Sequence, residues 1–241
     1  MSILRQSSVE NNLLARLTVA DFQMLLPKLQ WTDFALRDNL YYPHQPVEYG
    51  YFPTVGICSV IAHSATGVRG ETGLIGREGF VGSAIVLFAE SAPFEVLVQI
   101  EGRALRIKKD DLQEAIAKSP TLMAALLKFI HVFGVQTAQT AIANTHYTVT
   151  QRLARWLTMC RDRVDSNEFT MTHEFLAIML GVRRSGITEA INSLEGRDIV
   201  KSMRGKISVL NRQFLIEVAS GSYGVPEDEY KRLIEKEIQD S

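Results

Sequence analysis

The sequence predicts an α+β protein: an N-terminal antiparallel β jelly roll, a long helix, and a C-terminal winged helix-turn-helix. Three observations predict it. Between residues 30 and 107, short runs of aromatic and β-branched residues alternate with glycines and prolines. From Pro120 to about Thr145 an apolar pattern of helical period runs without an internal proline. From Met171, two amphipathic stretches meet at Gly181, and a hairpin follows around Gly205.

Taken in order, "TVADFQMLLPKL" (Thr18 to Leu29) is a short helix ending near Pro27. The runs "WTDFAL", "YGYF", "GICSVIA", "EVLVQI" and "RALRI" are short strands, punctuated by Pro43, Pro46, Pro53, Gly56, Gly67, Pro93 and Gly102 among others. "DDLQEAIAK" returns to helix, with acidic residues in the first turn where the helix dipole favours them. In the long helix, Leu122, Leu126, Phe129 or Ile130, and Phe133 form an apolar stripe, continued by Gly134, Thr137, Ala138, Ala141 and Thr145. Such a helix packs on its own sheet or pairs with a second copy across a two-fold axis. The small residues, which let backbones approach, favour the pair. The dimer interface is therefore expected at Leu122, Leu126, Ile130, Phe133, Thr137, Ala138, Ala141 and Thr145. Thr148 and Gln151 have capping-box spacing and open the next helix, whose apolar face is Leu153, Trp156, Leu157 and Cys160. "VPEDEYKRLIEKEIQDS" is an acidic terminal helix with Pro226 near its start. The expected parts are a sensor-like jelly roll at 1–119, a dimerisation helix and hinge at 120–147, a winged helix-turn-helix at 148–213, and an acidic helical extension at 214–241.

Composition bounds the function. At 241 residues and 46% hydrophobic, the chain has length for two ordinary domains and apolar content for real cores. No apolar run approaches the roughly 20 residues that span a bilayer, and "MSILRQSSVENN" lacks the apolar core of a signal peptide. Cys58 and Cys160 are too few for a disulfide framework or an iron–sulfur cluster. A cytoplasmic protein with no membrane partner is expected. The net charge of −1 hides an asymmetry. Residues 148–213 hold 11 Lys and Arg against seven Asp and Glu, a net of +4, while residues 214–241 carry a net of −4. The basic surplus coincides with the helix-turn-helix.

Within it, Thr172 is an N-cap candidate, and Phe175, Leu176, Met179 and Leu180 point inward from the first helix. Gly181 supplies the turn. Ile187, Ala190, Ile191 and Leu194 form the inner face of the second helix. That leaves Arg183, Arg184, Ser185, Thr188 and Glu189 outward, at the end that enters a major groove, where an arginine pairs bidentately with guanine O6 and N7. Arg204 and Lys206 flank the wing tip, where phosphates would lie. Thr172 and His173, at the start of the first helix, complete the expected set of residues that touch double-stranded DNA.

The segments "TVTQRLARWL", "MTHEFLAIMLGVRRSGITEAINSLEGRDIV", "YFPTVGICSVI", "GREGFVG" and "RALRIKKDDLQEAI", together with the long helix, resemble the Crp/Fnr family of bacterial transcription regulators over nearly the whole chain. The resemblance implies a cyclic-nucleotide-binding-like sensor domain, a dimerisation helix and a Crp-type winged helix. It also implies a homodimer on a two-fold-symmetric promoter site, with RNA polymerase as a further partner. Arg184 falls where the family places its guanine-contacting arginine. Ser185 falls where many members carry a glutamate, and Glu189 where the cyclic-AMP receptor protein carries a second arginine, so the usual half-site is not implied.

The family's nucleotide binders hold the ribose with a glutamate and the cyclic phosphate with an arginine. Here Phe80 stands in the glutamate position, and Pro93 and Phe94 stand in place of the Arg-Ser pair. Neither cyclic AMP nor cyclic GMP is expected to bind, and no cofactor is assigned. His44, His63, His131 and His146 leave haem open as an axial-ligand question. The alternative function is a cupin-type metal enzyme built on the jelly roll. It needs clustered histidines with a carboxylate, and His44 and His63 are isolated. No nucleophile triad or phosphate loop is present, so no catalytic residue, no metal site and no enzyme is expected.

Overall fold

The computed structural model describes residues 4–235. Two short helices open the chain, α1 (Asn12–Ala15) and α2 (Val19–Leu25). Each is capped from the preceding residue, Asn11 accepting from the Leu14 amide and Thr18 from the Asp21 amide. Pro27 turns the end of α2 into a 3-10 turn, Leu26–Lys28. Then come β1 (Gln30–Phe34), β2 (Asn39–Tyr41), β3 (Tyr49–His63), β4 (Arg69–Ile75), the short helix α3 (Ser83–Val86) and β5 (Phe94–Lys108). The strands form one antiparallel sheet in the order β1-β5-β3-β4, with β2 also paired to β5.

The sheet corrects the expectation of many short strands. "YGYF" and "GICSVIA" belong to one 15-residue strand, and "EVLVQI" and "RALRI" to another. Pro53 and Gly56 do not end β3. They bend it through register shifts at Pro53/Val55 and Val55/Ile57, with Gly56 at φ 94°. A Cβ on Gly102 opposite would lie 2.2 Å from the Val55 carbonyl oxygen, so the partner strand carries glycine too.

Helices α4 (Lys109–Lys118) and α5 (Pro120–His146) follow. Leu122, Leu126, Phe129 and Val132 of α5 are buried in the same core as Phe52, Phe80 and Leu105. Gln136 is buried and zips α5 to β4: it accepts from the Leu74 amide at 2.6 Å and donates to the Leu74 carbonyl at 3.1 Å. Two members of the expected dimer set are thereby corrected. Leu122 and Leu126 are 0% exposed within their own protomer. Each already gains its roughly 1.5–3 kcal/mol of burial without a partner. Phe133 also leans on this core. The outward stripe runs instead through Leu127, Gly134, Ala138, Ala141 and Thr145, with Ile130 and Thr137 half-buried at its edge. Helix α5 also corrects the reading of apolar runs. It has 27 residues and is long and apolar enough, by length and composition alone, to cross a bilayer.

The C-terminal part comprises α6 (Val149–Arg163), β6 (Glu168–Thr170), α7 (His173–Leu180), α8 (Arg184–Glu195), β7 (Val200–Met203), β8 (Lys206–Val209), α9 (Arg212–Ala219) and α10 (Val225–Tyr230). The Thr148–Gln151 capping box is formed. Leu215 and Ala219 of α9 are buried with Leu153 and Leu157 of α6. The expected boundary between residues 213 and 214 therefore falls inside a helix of the winged-helix core. The acidic extension starts at α10 and continues as a π turn, Lys231–Glu235. Its last residues, 236–241, lie outside those described. It folds back onto the N-terminal part. Tyr230 Oη donates to the Glu78 carbonyl at 2.9 Å, Glu229 meets His131 at 2.9 Å, and Glu235 meets Arg16 at 3.3 Å.

The two parts share a seam. Ile57, Ile61, Leu74 and Leu97 of the sheet are buried with Trp156, Leu157, Leu176 and Met179. Charge flanks this apolar contact, with Arg163–Glu78 and Arg77–Asp165 each at 2.8 Å.

Candidate nucleic-acid interface

Helices α7 and α8 meet at Gly181, whose φ of 62° and ψ of 39° place it in the left-handed region. The Val182 amide donates to the Ala177 carbonyl at 2.9 Å and closes the turn. The Arg152 guanidinium reaches from α6 to the Leu180 carbonyl at the end of α7. Ile187, Ala190, Ile191 and Leu194 are buried, so α8 is pinned by its inner face. Its outer face and first turn then present Arg183, Arg184, Ser185 and Glu189 to solvent. Among the described residues, neither the Arg183 nor the Arg184 guanidinium has a partner. Two free, adjacent guanidinium groups on a rigid helix start can fork onto base edges or phosphates.

The other expected residues divide. Thr172 caps α7 by accepting from the Phe175 amide at 3.2 Å and is exposed. His173 is engaged internally: Nδ1 lies 3.1 Å from Thr188 Oγ1, and Nε2 lies 3.5 Å from Ser202 Oγ. It braces α7 against both α8 and β7, and the Thr188 hydroxyl is shared with the Arg184 carbonyl at 3.2 Å. Arg204, at φ 53° on the wing tip, is exposed and has no partner among the described residues. Lys206 pairs with Glu168 at 2.7 Å, which holds that carboxyl below its ordinary range. Strand β6, which supplies Glu168, was not expected. Its three residues carry too short a pattern to stand out from a loop.

Phe80, at the position to which the resemblance assigns a ribose-binding glutamate, is part of the packed interior of the sheet domain. Phe80 is 1% exposed and stacks on Phe52 at 4.7 Å between ring centroids. Arg77, the nearest basic residue in sequence, is held by Asp165 across the seam. Burial pushes the Cys58 and Cys160 thiols up, leaving little thiolate for redox chemistry. His63 is engaged with Glu95 at 2.9 Å and His131 with Glu229. Among the described residues, no three His, Cys, Asp or Glu side chains gather where they could share a metal ion.

Sequence reasoning passed over Glu71, a buried carboxyl at the seam that accepts from Trp156 Nε1 at 2.8 Å and bonds Ser59 Oγ at 2.7 Å. The period of β4 gave no signal: a register shift opposite Val60 and Ile61 puts Glu71 on the seam face with Leu74, out of phase with Ile75, which is buried in the sheet-domain core.

Residues 151–218 match the family model of the Crp-like helix-turn-helix domain. The fold is similar to that of FixK2 from Bradyrhizobium japonicum, 16% identical, with a TM-score of 0.66 over 79% of this chain and 96% of that one. It is similar to a putative Crp/Fnr-family transcriptional regulator from Eubacterium rectale, 17% identical, at 0.66 over 88% and 99%. It is also similar to a Crp/Fnr-family regulator from Thermus thermophilus, 18% identical, at 0.64 over 80% and 100%. At such identities the likeness shows the fold: antiparallel sheet domain, long helix and helix-turn-helix, in that order. No curated protein matches the sequence.

Proposed function

We infer, from a Crp-like helix-turn-helix domain set on a Crp/Fnr-type fold, that the chain is a DNA-binding transcription regulator of the Crp/Fnr family. The observation that carries this is the pair of free guanidinium groups, Arg183 and Arg184, at the exposed start of a helix whose inner face is locked. In this reading Arg184 forks onto a guanine, and Arg183, Arg204 and Thr172 meet phosphates. Ser185, Thr188 and Glu189 line the same groove, where a carboxylate accepts from cytosine N4. His173 holds the recognition helix in place. The homodimer forms along the outward stripe of α5, through Ile130, Thr137, Ala138, Ala141 and Thr145.

The protein acts in the cytoplasm, with no membrane partner and no enzymatic activity, and RNA polymerase is its further partner. The cupin alternative has no support, since His63 is committed to Glu95 and no metal cluster gathers among the described residues. Phe80 argues against cyclic AMP or cyclic GMP as the signal.

In-vitro selection of duplex DNA by the full chain tests the reading. It should enrich a two-fold-symmetric site with half-sites about 10 base pairs apart, centre to centre. Recovery of unselected sequence, or of a lone half-site, would sink it.

A further inference from the structure

Glu71 occupies an unusual place. It sits on β4 of the sheet domain, is buried, and bonds across the seam to Trp156 of α6 at 2.8 Å. On its own side Ser59 Oγ lies 2.7 Å away, and Ser59 in turn bonds Gln99 Oε1. The Gln99 Nε2 group has no partner. Ser59 has one proton to give to two neighbouring oxygens. If Glu71 is protonated, its proton goes to Ser59 and the Ser59 proton goes on to Gln99 Oε1. If Glu71 is ionised, Ser59 donates to Glu71, and Gln99 satisfies Ser59 by turning its amide to present Nε2. One hydroxyl and one amide rotor thus accommodate both charge states without moving the backbone.

We propose that Glu71 is a proton-controlled latch that holds the winged-helix domain against the sheet domain, tight when protonated and loosened when ionised.

The surroundings support it. From α6, Arg155, Arg163 and Arg152 lie near, but they are bound elsewhere: Arg155 Nε to the Ser222 carbonyl at 2.9 Å, Arg163 to Glu78, and Arg152 to the Leu180 carbonyl. Cys160, also on α6, is buried. Glu95 of β5, farther along the sheet, is paired with Arg69 of β4 at 2.7 Å and lies 2.9 Å from His63 of β3. Helices α5 and α7 add only Thr140, Ala143, Asn144, Met179 and Leu180 to the cleft beside Glu71. No cation is committed to Glu71, so burial dominates and pushes its carboxyl up to about 7. With the domains apart the same group is hydrated and titrates near 4.5. The docked form therefore binds the proton more tightly. Docking is strongest below the lower value, weakens through the interval, and levels off above about 7.

The latch acts on docking, which is measured without DNA, so it stands or falls separately from the DNA-binding reading. The experiment is hydrogen exchange on the full-length protein from pH 5 to 8, following backbone amides of β4, α6 and α7 and the indole N–H of Trp156. Exposed Trp31 serves as the internal control. After correction for intrinsic exchange, protection at the seam should fall about tenfold per pH unit up to about 7 and then level off. Glu71→Gln, uncharged at every pH, should abolish that slope. A wild-type profile that is flat, or a Glu71→Gln profile with the wild-type slope, overturns the proposal. If Glu71→Gln fails to fold, Trp156→Phe decides. It removes a donor that favours the ionised form and should carry the levelling point to higher pH, and an unmoved levelling point overturns the latch.

Discussion

Two sets of arginines, in one stretch of sequence, have opposite fates. Arg155 and Arg163 of α6 are 5% and 8% exposed and bind a backbone carbonyl and Glu78. Arg183, Arg184 and Arg204 stand in solvent and bind nothing among the described residues. Of the 11 basic residues between 148 and 213, six have partners within the chain: Arg152, Arg155, Arg161, Arg163, Lys206 and Arg212. The five that remain, Arg183, Arg184, Arg197, Lys201 and Arg204, lie at the N-cap and first turn of α8, on the wing, or in the turn between them. A net charge counts both sets alike. What separates an architectural arginine from one proposed to meet DNA is whether its donors are already used.

The comparison can be broken or sharpened, beginning with the largest effect. Ala138→Glu with Ala141→Glu sets like charges face to face along the outward stripe of α5. Sedimentation should find monomer where the parent is dimer, and affinity for a two-fold site should drop about 10²–10⁴-fold as the second half-site is lost. A dimer as tight as the parent's would place the interface elsewhere.

Next, Arg163→Ala leaves Glu78 at the seam without its cation. Denaturant unfolding should show a loss of about 3 kcal/mol, with the salt slope of DNA binding intact. Equal stability would remove Arg163 from the architectural set.

Arg184→Ala should do the reverse. It should cost roughly 1–3 kcal/mol on the selected site and little on scrambled duplex, with stability unchanged. Equal weakening on both duplexes would demote it to a phosphate contact.

The smallest effect separates the two wing residues. Arg204→Ala should flatten the salt dependence by about one unit per protomer. Lys206→Ala should flatten it less, because Lys206 already pairs with Glu168. Equal slopes would mean the pair opens on DNA.

Local chemistry made much of this legible in the sequence. The Thr148–Gln151 box, the left-handed turn at Gly181 and the hairpin at Gly205 are each set within four residues, and each is formed. Phe80 was singled out only through the resemblance, which implies a glutamate at its position. What failed depended on the far side of a contact. Helix α5 is apolar on two faces, so its pattern could not say that Leu122 and Leu126 serve the sheet while Leu127 and Ala138 face outward. Pro53 and Gly56 read as strand ends because a bulge and a turn draw on the same residues. Glu71 went unmarked because the indole that meets it, Trp156, lies 85 residues away in the sequence.

The return of α10 onto the sheet domain has a mechanical consequence. The winged-helix domain is tethered at two separated points. One is the α5–α6 junction at Tyr147–Thr148. The other is the Ser220–Gly224 turn before α10, where Ser220, Gly221 and Gly224 take φ of 53°, 84° and 123°. A body hung from a single joint swivels about three axes, whereas one hung from two swings about the line between them. With α10 fastened by Tyr230 to the Glu78 carbonyl and by Glu229 to His131, and with the Ser222 carbonyl of the turn accepting from Arg155 Nε, both tethers are anchored, and any displacement of the winged-helix domain has to satisfy two connections rather than one.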